Sequence, residues 1–262
     1  MAAQPAVLIT GASTGIGAVY ADRFAKRGHD LVLVARNVAR MEEVAKRLRA
    51  ACRVRVDLLP ADLANRDDVA SVEARLRDDA SIGVLVNNAG TTTRGAFVDQ
   101  DTDAIARVID VNATALARLA AAAAPRFARE GGGAIVNIAS VVGLAPEFGM
   151  AVYGATKAFV LFLSQGLHLE LGPKGVYVQA VLPAATRTEL WAHAGRDVDE
   201  VPGMMEVGDL VDAALVGYDR RETVTIPPLP DDAQWAAYDA ARVAMLPNFA
   251  QSLPAGRYRE GR

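Results

Sequence analysis

Short apolar runs alternate with longer amphipathic segments along most of the chain. "PAVLIT" at 5–10, "DLVLVA" at 30–35 and "IGVLVNNAG" at 82–90 are three such runs, and they lack the strict apolar/polar alternation of a half-exposed strand. Strands that are covered on both faces have this pattern, and the intervening segments have the apolar spacing of helices. The sequence therefore predicts an α/β fold, a Rossmann-type doubly wound parallel sheet of about seven strands with helices on both faces.

Two stretches interrupt this alternation. A looser segment at 189–208 is rich in Met, Asp and Gly, and a polar tail follows position 247. No internal repeat or second core is evident, and 262 residues suffice for one large core. We therefore expect a single domain over 1–262.

Charge and cysteine content narrow the possible partners. With 28 basic and 31 acidic residues the net charge is −3, so nothing indicates a nucleic-acid partner. Cys52 is the single cysteine, which excludes an internal disulfide, and no clustered His/Cys pattern indicates a metal site. No apolar run approaches the roughly 18 residues of a membrane span, so we expect a cytoplasmic protein without a membrane partner.

A glycine-rich turn lies between the first predicted strand and the first predicted helix. Its glycines are Gly11, Gly15 and Gly17 in the sequence "GASTGIG". Glycines at such a turn allow tight chain reversal and close approach of a pyrophosphate to the backbone at a helix N-terminus. The turn therefore indicates a dinucleotide site, although glycines can also merely end a strand.

The end of the second predicted strand bears on coenzyme choice. A dinucleotide site for NAD usually places an acidic residue here, whereas an arginine accommodates a 2′-phosphate. This chain has Ala35 followed by Arg36. A guanidinium pairs with a phosphate dianion that a carboxylate would repel, so we predict NADP(H) in preference to NAD(H). The alternative is that Arg36 is a solvated residue leading into a helix.

Further candidates follow the third and fourth predicted strands. Asp62 and Leu63 follow the third strand, and the sequence Asn87-Asn88-Ala89-Gly90 follows the fourth. The carboxyl ends of parallel strands are where ligands bind in open α/β sheets. Asn and Gly also suit turns that have no functional role, so these residues alone decide nothing.

A tyrosine and a lysine are one helical turn apart in "AVYGATKAFV" at 151–160. Tyr153 and Lys157 share a helix face, and Ser140 ends the preceding apolar run. A phenol has an ordinary pKa of about 10, which a nearby ammonium lowers, so Lys157 could activate Tyr153. The pair could also share a helix flank without any function.

Taken together, these motifs resemble the short-chain dehydrogenase/reductase family in its compact single-domain branch. The resemblance runs from Val7 to about Pro228. It rests on these residues in family-like order and spacing: Thr10, Gly11, Gly15, Ile16, Gly17, Asp62, Leu63, Asn87, Asn88, Ala89, Gly90, Asn112, Ser140, Tyr153 and Lys157.

The resemblance implies an enzyme with four catalytic residues. Tyr153 would be the general acid in carbonyl reduction and the base in alcohol oxidation. Lys157 would bind the nicotinamide ribose and lower the tyrosine pKa. Ser140 would polarise the substrate oxygen, and Asn112 would hold a water in a proton relay behind Lys157. The implied activity is hydride transfer between NADP(H) and a carbonyl or secondary alcohol.

The resemblance also implies the coenzyme contacts. Asp62 would contact adenine, and the implied contact residues are Gly11, Ser13, Thr14, Gly15, Ile16, Gly17, Arg36, Asp62, Leu63, Asn88, Ala89, Gly90, Tyr153, Lys157, Pro183, Thr186 and Thr188. One departure is "PAATRT" at 183–188, where Ala184 replaces the usual glycine and restricts the backbone beside the nicotinamide.

The resemblance gives only general expectations about the substrate and the oligomeric state. The segment at 189–208 would be a substrate lid, whose apolar residues Leu190, Trp191, Met204 and Met205 indicate a small or medium apolar substrate. The alternative is that these residues pack against the core or a neighbouring subunit. The resemblance also implies a homodimer or homotetramer, paired through helices at roughly 101–130 and 151–172.

Two alternative functions stay open at this point. A carrier-linked 3-oxoacyl reductase would need a basic docking surface, for which Arg94 and Arg187 are candidates. A non-catalytic NADP(H)-sensing regulator tends to lose the tyrosine or the lysine, and both are present here.

Overall fold

The computed structural model describes residues 4–93, 95–189, 191 and 201–259. The chain divides into two compact units, Met1–Pro227 and Pro228–Arg262, which are described separately below. Among the helices in these described ranges, none combines the length and apolar character that a membrane crossing requires.

The first unit is built on one parallel sheet. Its strands are β1 (Ala6–Thr10), β2 (Leu31–Ala35), β3 (Val56–Pro60), β4 (Ile82–Asn87), β5 (Ala134–Ile138), β6 (Tyr177–Val181) and β7 (Val224–Thr225). They form a seven-stranded sheet in the order β3-β2-β1-β4-β5-β6-β7, with every pair parallel. The predicted fold is confirmed. The strand order reverses between β1 and β4, which opens a crevice at their carboxyl ends.

Helices cover both faces of this sheet. They are α1 (Gly15–Lys26), α2 (Val38–Cys52), α3 (Arg66–Asp78), α4 (Thr102–Ile109), α5 (Leu116–Glu130), α6 (Ala151–Leu171) and α7 (Val207–Asp219). One core cluster joins the sheet to α1, α2 and α7 and contains the fully buried Phe24 and Met41. The other cluster joins it to α3 and α5 around Leu76, Leu119 and Phe127. Side chains of β1 alternate between the two clusters, which explains its uninterrupted apolar sequence.

The helical stretch over 102–130 differs from its sequence pattern. The amphipathic spacing predicts one continuous helix, but a π-helix at Asp110–Ala115 separates α4 from α5. A π-helical turn shifts the register of the side chains that follow it, and such turns are frequent at functional sites. The turn contains Asn112, which is 1% exposed.

The second unit contains a helix that the sequence pattern did not predict. Helix α8 (Asp232–Val243) begins at its N-cap Asp231, whose carboxylate accepts a hydrogen bond from Ala233 N at 2.9 Å. No residue described in this unit is buried. The stretch after 247, predicted as a polar tail, has the exposed apolar residues Phe249 and Leu253.

Candidate active site

The glycine turn connects β1 to α1 with a geometry that only glycine allows. Gly11 and Gly15 have φ of +65° and +53°. A Cβ on Gly11 would lie 2.8 Å from Asn88 Nδ2, and one on Gly17 would collide with the Gly11 carbonyl oxygen. The bare backbone at the N-terminus of α1 is therefore maintained by close packing. Such a cradle fits a dinucleotide pyrophosphate.

Of the residues between these glycines, Ser13 and Thr14 lie in the turn and Ile16 lies in the first turn of α1. Ser13 and Thr14 are half-buried, and Thr14 is the N-cap of α1 without a side-chain capping bond. Ile16 packs against the first core cluster. The hydroxyl of Thr14 is thus not used as a helix cap.

The loop after β4 is fastened to the end of β1. Thr10 Oγ1 accepts hydrogen bonds from the backbone nitrogens of Asn88 and Ala89, both at 3.0 Å. The Asn88 amide donates to the carbonyl oxygens of Thr10 and Gly11 at 2.8 and 3.2 Å. Asn87 instead points into the core and donates to Asn137 Oδ1 at 3.0 Å. Of the two asparagines, only Asn88 contacts the glycine turn.

The adenosine side of the crevice contains Arg36 and Asp62. Arg36 follows β2 and is exposed at the rim of a cleft of about 460 Å³, which Thr92 and Ala104 also line. Asp62 accepts hydrogen bonds from Arg107 Nη2 at 2.8 and 3.1 Å. Partial burial raises the pKa of Asp62. The bonds from Arg107, a further bond from Ala64 N and the positive charges of Arg107 and Arg36 together outweigh that effect and hold the pKa below its ordinary value. The neighbouring Leu63 is buried, at 8% exposure.

Ser140 lies at the carboxyl end of β5 and caps a short 3₁₀ turn, Val141–Gly143. Its Oγ accepts from Val142 N and donates to the Pro183 carbonyl oxygen, both at 3.2 Å. A Cβ on Gly143 would lie 2.7 Å from Ala158 N, so this turn packs directly on the backbone of α6. That contact brings the Ser140 side of the sheet against the helix that carries the tyrosine and lysine.

Tyr153 and Lys157 lie in the first two turns of α6 and are 9% and 4% exposed. The Lys157 ammonium lies 5.6 Å from the Tyr153 ring centroid and donates to the Ile138 carbonyl oxygen at 2.8 Å. The Ser140 hydroxyl is near enough to the phenol to lower its pKa. The structure thus brings the three predicted catalytic groups together at the carboxyl end of β5.

The direction of the tyrosine pKa shift differs from the expectation. Burial raises the pKa of Tyr153 to about 12, and the nearby Ser140 hydroxyl offsets this effect only in part. Burial also lowers the pKa of Lys157 to about 8. The prediction that Lys157 lowers the tyrosine pKa below its ordinary value is therefore wrong for the protein alone, because loss of hydration disfavours the phenolate more than its neighbours stabilise it.

Asn112 holds the loop that follows β4. Its Nδ2 donates to the Thr91 carbonyl oxygen at 2.9 Å and to Thr156 Oγ1 at 3.1 Å, while Oδ1 accepts from Thr91 N at 2.8 Å. Both amide protons are therefore used within the protein. Thr156 Oγ1 in turn donates to the Tyr153 carbonyl oxygen at 2.7 Å. The Asn112 side chain thus connects the loop to the helix that carries the tyrosine.

The segment after β6 closes the crevice on its other side. Pro183 accepts the Ser140 hydrogen bond, and the Thr188 methyl lies 3.5 Å from the position of a Cβ on Gly15. Ala184 is not among the described non-glycine residues with positive φ, so this position does not require a glycine. The predicted restriction from Ala184 therefore strains no backbone angle here.

Residues close to the two ends of the predicted lid segment pair with each other. Thr186 and Met205 form a parallel bridge, in which Arg187 N donates to Met205 O at 3.0 Å and Met205 N donates to Ala185 O at 2.9 Å. Trp191 Nε1 donates to Thr186 O at 2.7 Å. Leu190, like Arg94 of the possible carrier-docking surface, lies outside the described residues.

Several contacts of the site were not predicted from the sequence. These are Thr91, Thr156, Arg107, the Ile138 carbonyl and an ion pair between Arg40 and Glu189 at 2.7 Å. Only Thr156 carries a local signal, since it stands one position before Lys157 on the same helix. In the described part of the chain, no group of three or more His, Cys, Asp or Glu could hold a metal ion.

Known proteins resemble this chain in both sequence and structure. The profile of the family described as short chain dehydrogenase matches residues 5–199. A short-chain dehydrogenase from Sphingobium yanoikuyae in complex with NADPH is 63% identical, with 97% of this chain and 99% of that chain covered and a TM-score of 0.96. The bulky-bulky ketone specific alcohol dehydrogenase from Comamonas testosteroni is 58% identical, with 97% and 98% covered and a TM-score of 0.92.

A curated relative from cattle is matched over only part of its length. The very-long-chain 3-oxoacyl-CoA reductase of Bos taurus is 37% identical over 187 residues, which are 70% of this chain and 60% of that protein.

Proposed function

The chain belongs to the short-chain dehydrogenase/reductase family, and we propose that it is an NADP(H)-dependent reductase of ketones and dehydrogenase of the corresponding secondary alcohols. The observation that carries the proposal is the convergence of Ser140, Tyr153 and Lys157 at the carboxyl end of β5. A consumption assay tests it directly. NADPH oxidation is followed with a panel of bulky ketones, small ketones and a 3-oxoacyl thioester, and turnover of a ketone is the expected result.

The proposed chemistry assigns one role to each side chain. When bound, the coenzyme supplies the hydride for reduction or accepts it in oxidation. On substrate binding the Ser140 hydroxyl would turn from the Pro183 carbonyl oxygen to the substrate oxygen, donate a hydrogen bond to it and polarise the carbonyl. Tyr153 then gives its phenolic proton to that oxygen as negative charge develops on it. The high pKa of Tyr153 keeps this proton in place at neutral pH.

Lys157 affects the charge of Tyr153, and Asn112 affects the position of the helix segment that carries it. The Lys157 ammonium, held at the Ile138 carbonyl, would hold the nicotinamide ribose hydroxyls and stabilise the phenolate left after proton transfer. Asn112 fixes the loop against Tyr153 through Thr156. Its amide protons are already used, so we propose a positioning role for the side chain.

We propose ketones, rather than carrier-linked acyl groups, as the substrates. The alcohol dehydrogenase from Comamonas testosteroni, named for bulky-bulky ketones, is matched over 98% of its length, whereas the 3-oxoacyl-CoA reductase is matched over 60% of its own. Val142, Leu144 and Met150 are half-buried after the strand that carries Ser140, and they supply an apolar wall for such a ketone. Faster turnover of the 3-oxoacyl thioester than of any ketone in the panel would reverse this preference.

Ketone reduction should lose efficiency at alkaline pH because Lys157 loses its charge. Its pKa of about 8 lies well below that of Tyr153, so the lysine deprotonates first as the pH rises. We expect kcat/KM for ketone reduction to be level at about pH 6–7 and to fall about tenfold by pH 9. In Lys157→Arg the cation persists over this range, so the remaining activity should not show the decline. A decline with an unchanged midpoint in Lys157→Arg would contradict this assignment.

We also propose a homodimer or homotetramer that pairs through α6. Phe159, Phe162 and Leu169 are exposed on one face of this helix, at 42%, 76% and 75%. Exposed apolar surface of this kind marks association sites, and a two-fold dimer would cover it. We expect Phe162→Asp to reduce the molar mass measured by light scattering, while Ala50→Asp, an exposed position on α2, should leave it unchanged. Equal masses for Phe162→Asp and the wild type would contradict the pairing.

A further inference from the structure

We propose that Arg40 is a second coenzyme-selectivity residue, which exchanges its contact with Glu189 for the 2′-phosphate and binds this group together with Arg36. This inference rests on the proposed NADP(H) site and deepens it. It gives a role to an ion pair that links helix α2 to the start of the lid segment.

Both arginines emerge from the beginning of α2. Arg36 immediately precedes the N-cap Asn37, and Arg40 is the third residue of the helix. Asn37 Oδ1 accepts a hydrogen bond from Arg40 N at 3.0 Å, which fixes the first turn. The two guanidiniums therefore arise within one helical turn of each other, at the carboxyl end of β2, where the 2′-phosphate of an NADP(H) molecule lies in such folds.

The present partner of Arg40 comes from the opposite side of the crevice. Arg40 Nη1 lies 2.7 Å from Glu189 Oε2. Glu189 follows Thr188, whose methyl lies 3.5 Å from the position of a Cβ on Gly15 in the phosphate-binding turn. The ion pair thus joins the adenosine side of the crevice to the segment that packs on the glycine turn.

This ion pair is weak enough to be exchanged. The two side chains are 48% and 55% exposed, and solvated pairs of this kind contribute little to stability. A phosphate presents three acceptor oxygens and nearly two negative charges, and it pairs with arginine in a bidentate geometry. The phosphate is therefore the stronger partner for the Arg40 guanidinium.

Charge balance at the site also calls for a second cation. Within the described residues Arg36 forms no salt bridge, and it supplies one positive charge. The neighbouring Arg107 already forms an ion pair with Asp62. A phosphate dianion beside Arg36 alone would keep an excess negative charge, and Arg40 can neutralise it once released from Glu189.

Binding measurements on three variants test this exchange. Calorimetry at one fixed ionic strength compares Arg40→Gln, Glu189→Gln and the control Arg47→Gln with the wild type, because surface charge effects depend on salt. Arg47 is exposed on the same helix and forms no ion pair with another described residue. The ligands are NADPH, NADH and 2′,5′-ADP, which carries the phosphate without the nicotinamide.

The exchange predicts opposite effects of the two site variants. Arg40→Gln should weaken the binding of NADPH and 2′,5′-ADP about fivefold. The affinity for NADH should stay within about twofold of the wild-type value. Glu189→Gln should strengthen both phosphate-bearing ligands about two- to threefold, because Arg40 is then free before binding. Arg47→Gln should change none of the three.

Other outcomes overturn the inference or its premise. If Arg40→Gln weakened the binding of NADPH and NADH equally, or weakened neither, Arg40 would not bind the 2′-phosphate. Weaker NADPH binding in Glu189→Gln would mean that the ion pair retains the coenzyme rather than competing with it. Wild-type protein that binds neither NADPH nor 2′,5′-ADP would overturn the proposed coenzyme site itself.

Discussion

Tyr153→Phe should reduce ketone turnover by about 10³-fold or more while the protein still binds NADPH. The substitution removes only the hydroxyl, the group that would give its proton to the substrate oxygen. General acid catalysis by a placed side chain contributes about 10²- to 10⁴-fold, and Phe offers no proton. The tyrosine is nearly buried, at 9% exposure, and Phe keeps the same ring, so the packing is retained. The measurement is kcat for the best ketone of the panel, with NADPH affinity measured on the same sample.

A matched control separates chemistry from folding. Tyr238→Phe removes the same hydroxyl from an exposed tyrosine of the second unit and should leave kcat unchanged. If Tyr153→Phe retained more than about a tenth of the wild-type kcat, Tyr153 could not be the general acid. If it had lost NADPH binding as well, the measured loss would report a damaged site rather than proton transfer.

Arg36→Ala should change the coenzyme preference more than any other single change on the adenosine side. A charge-assisted hydrogen bond to a phosphate is worth about 2 kcal/mol, which corresponds to about 30-fold in affinity. We therefore expect the Kd of NADPH to rise about 30-fold, whereas the Kd of NADH should change by less than about twofold. The ratio of the two values isolates the 2′-phosphate, since the rest of the two coenzymes is identical.

The control for this change is a more distant arginine. Arg47→Ala removes an exposed guanidinium from the same helix without touching its first turn and should leave the ratio at the wild-type value. An unchanged NADPH to NADH ratio in Arg36→Ala would refute the assignment of Arg36. A parallel loss for both coenzymes would mean that Arg36 supports the helix rather than the phosphate.

Much of the fold followed from local patterns. The apolar runs predicted the strands because a sheet covered on both faces needs apolar residues at every position, as in β1 and β2. Tyr153, Lys157 and Ser140 could be predicted because one helical turn and one strand end determine where they lie. The helix at Asp232–Val243 also has a local signal, since Asp231 is a typical N-cap, yet it was not predicted.

Other features depend on the folded chain. The Asp62–Arg107 and Arg40–Glu189 contacts join residues 45 and 149 positions apart, so no local spacing reports them. The π-helix around Asn112 has no sequence signature, because it depends on how the helix packs against its neighbours. The raised pKa of Tyr153 reflects burial, which a sequence does not specify residue by residue.

The bridge between Thr186 and Met205 has a consequence for how this enzyme could diversify. The bridge closes the segment between these residues into a loop whose two ends are fixed by backbone hydrogen bonds next to the sheet. Doubling the length of such a loop costs only about 0.6 kcal/mol of closure entropy. Changes in the number of residues between Thr186 and Met205 therefore cost little closure entropy, so new substrate preferences can evolve over an unchanged catalytic centre.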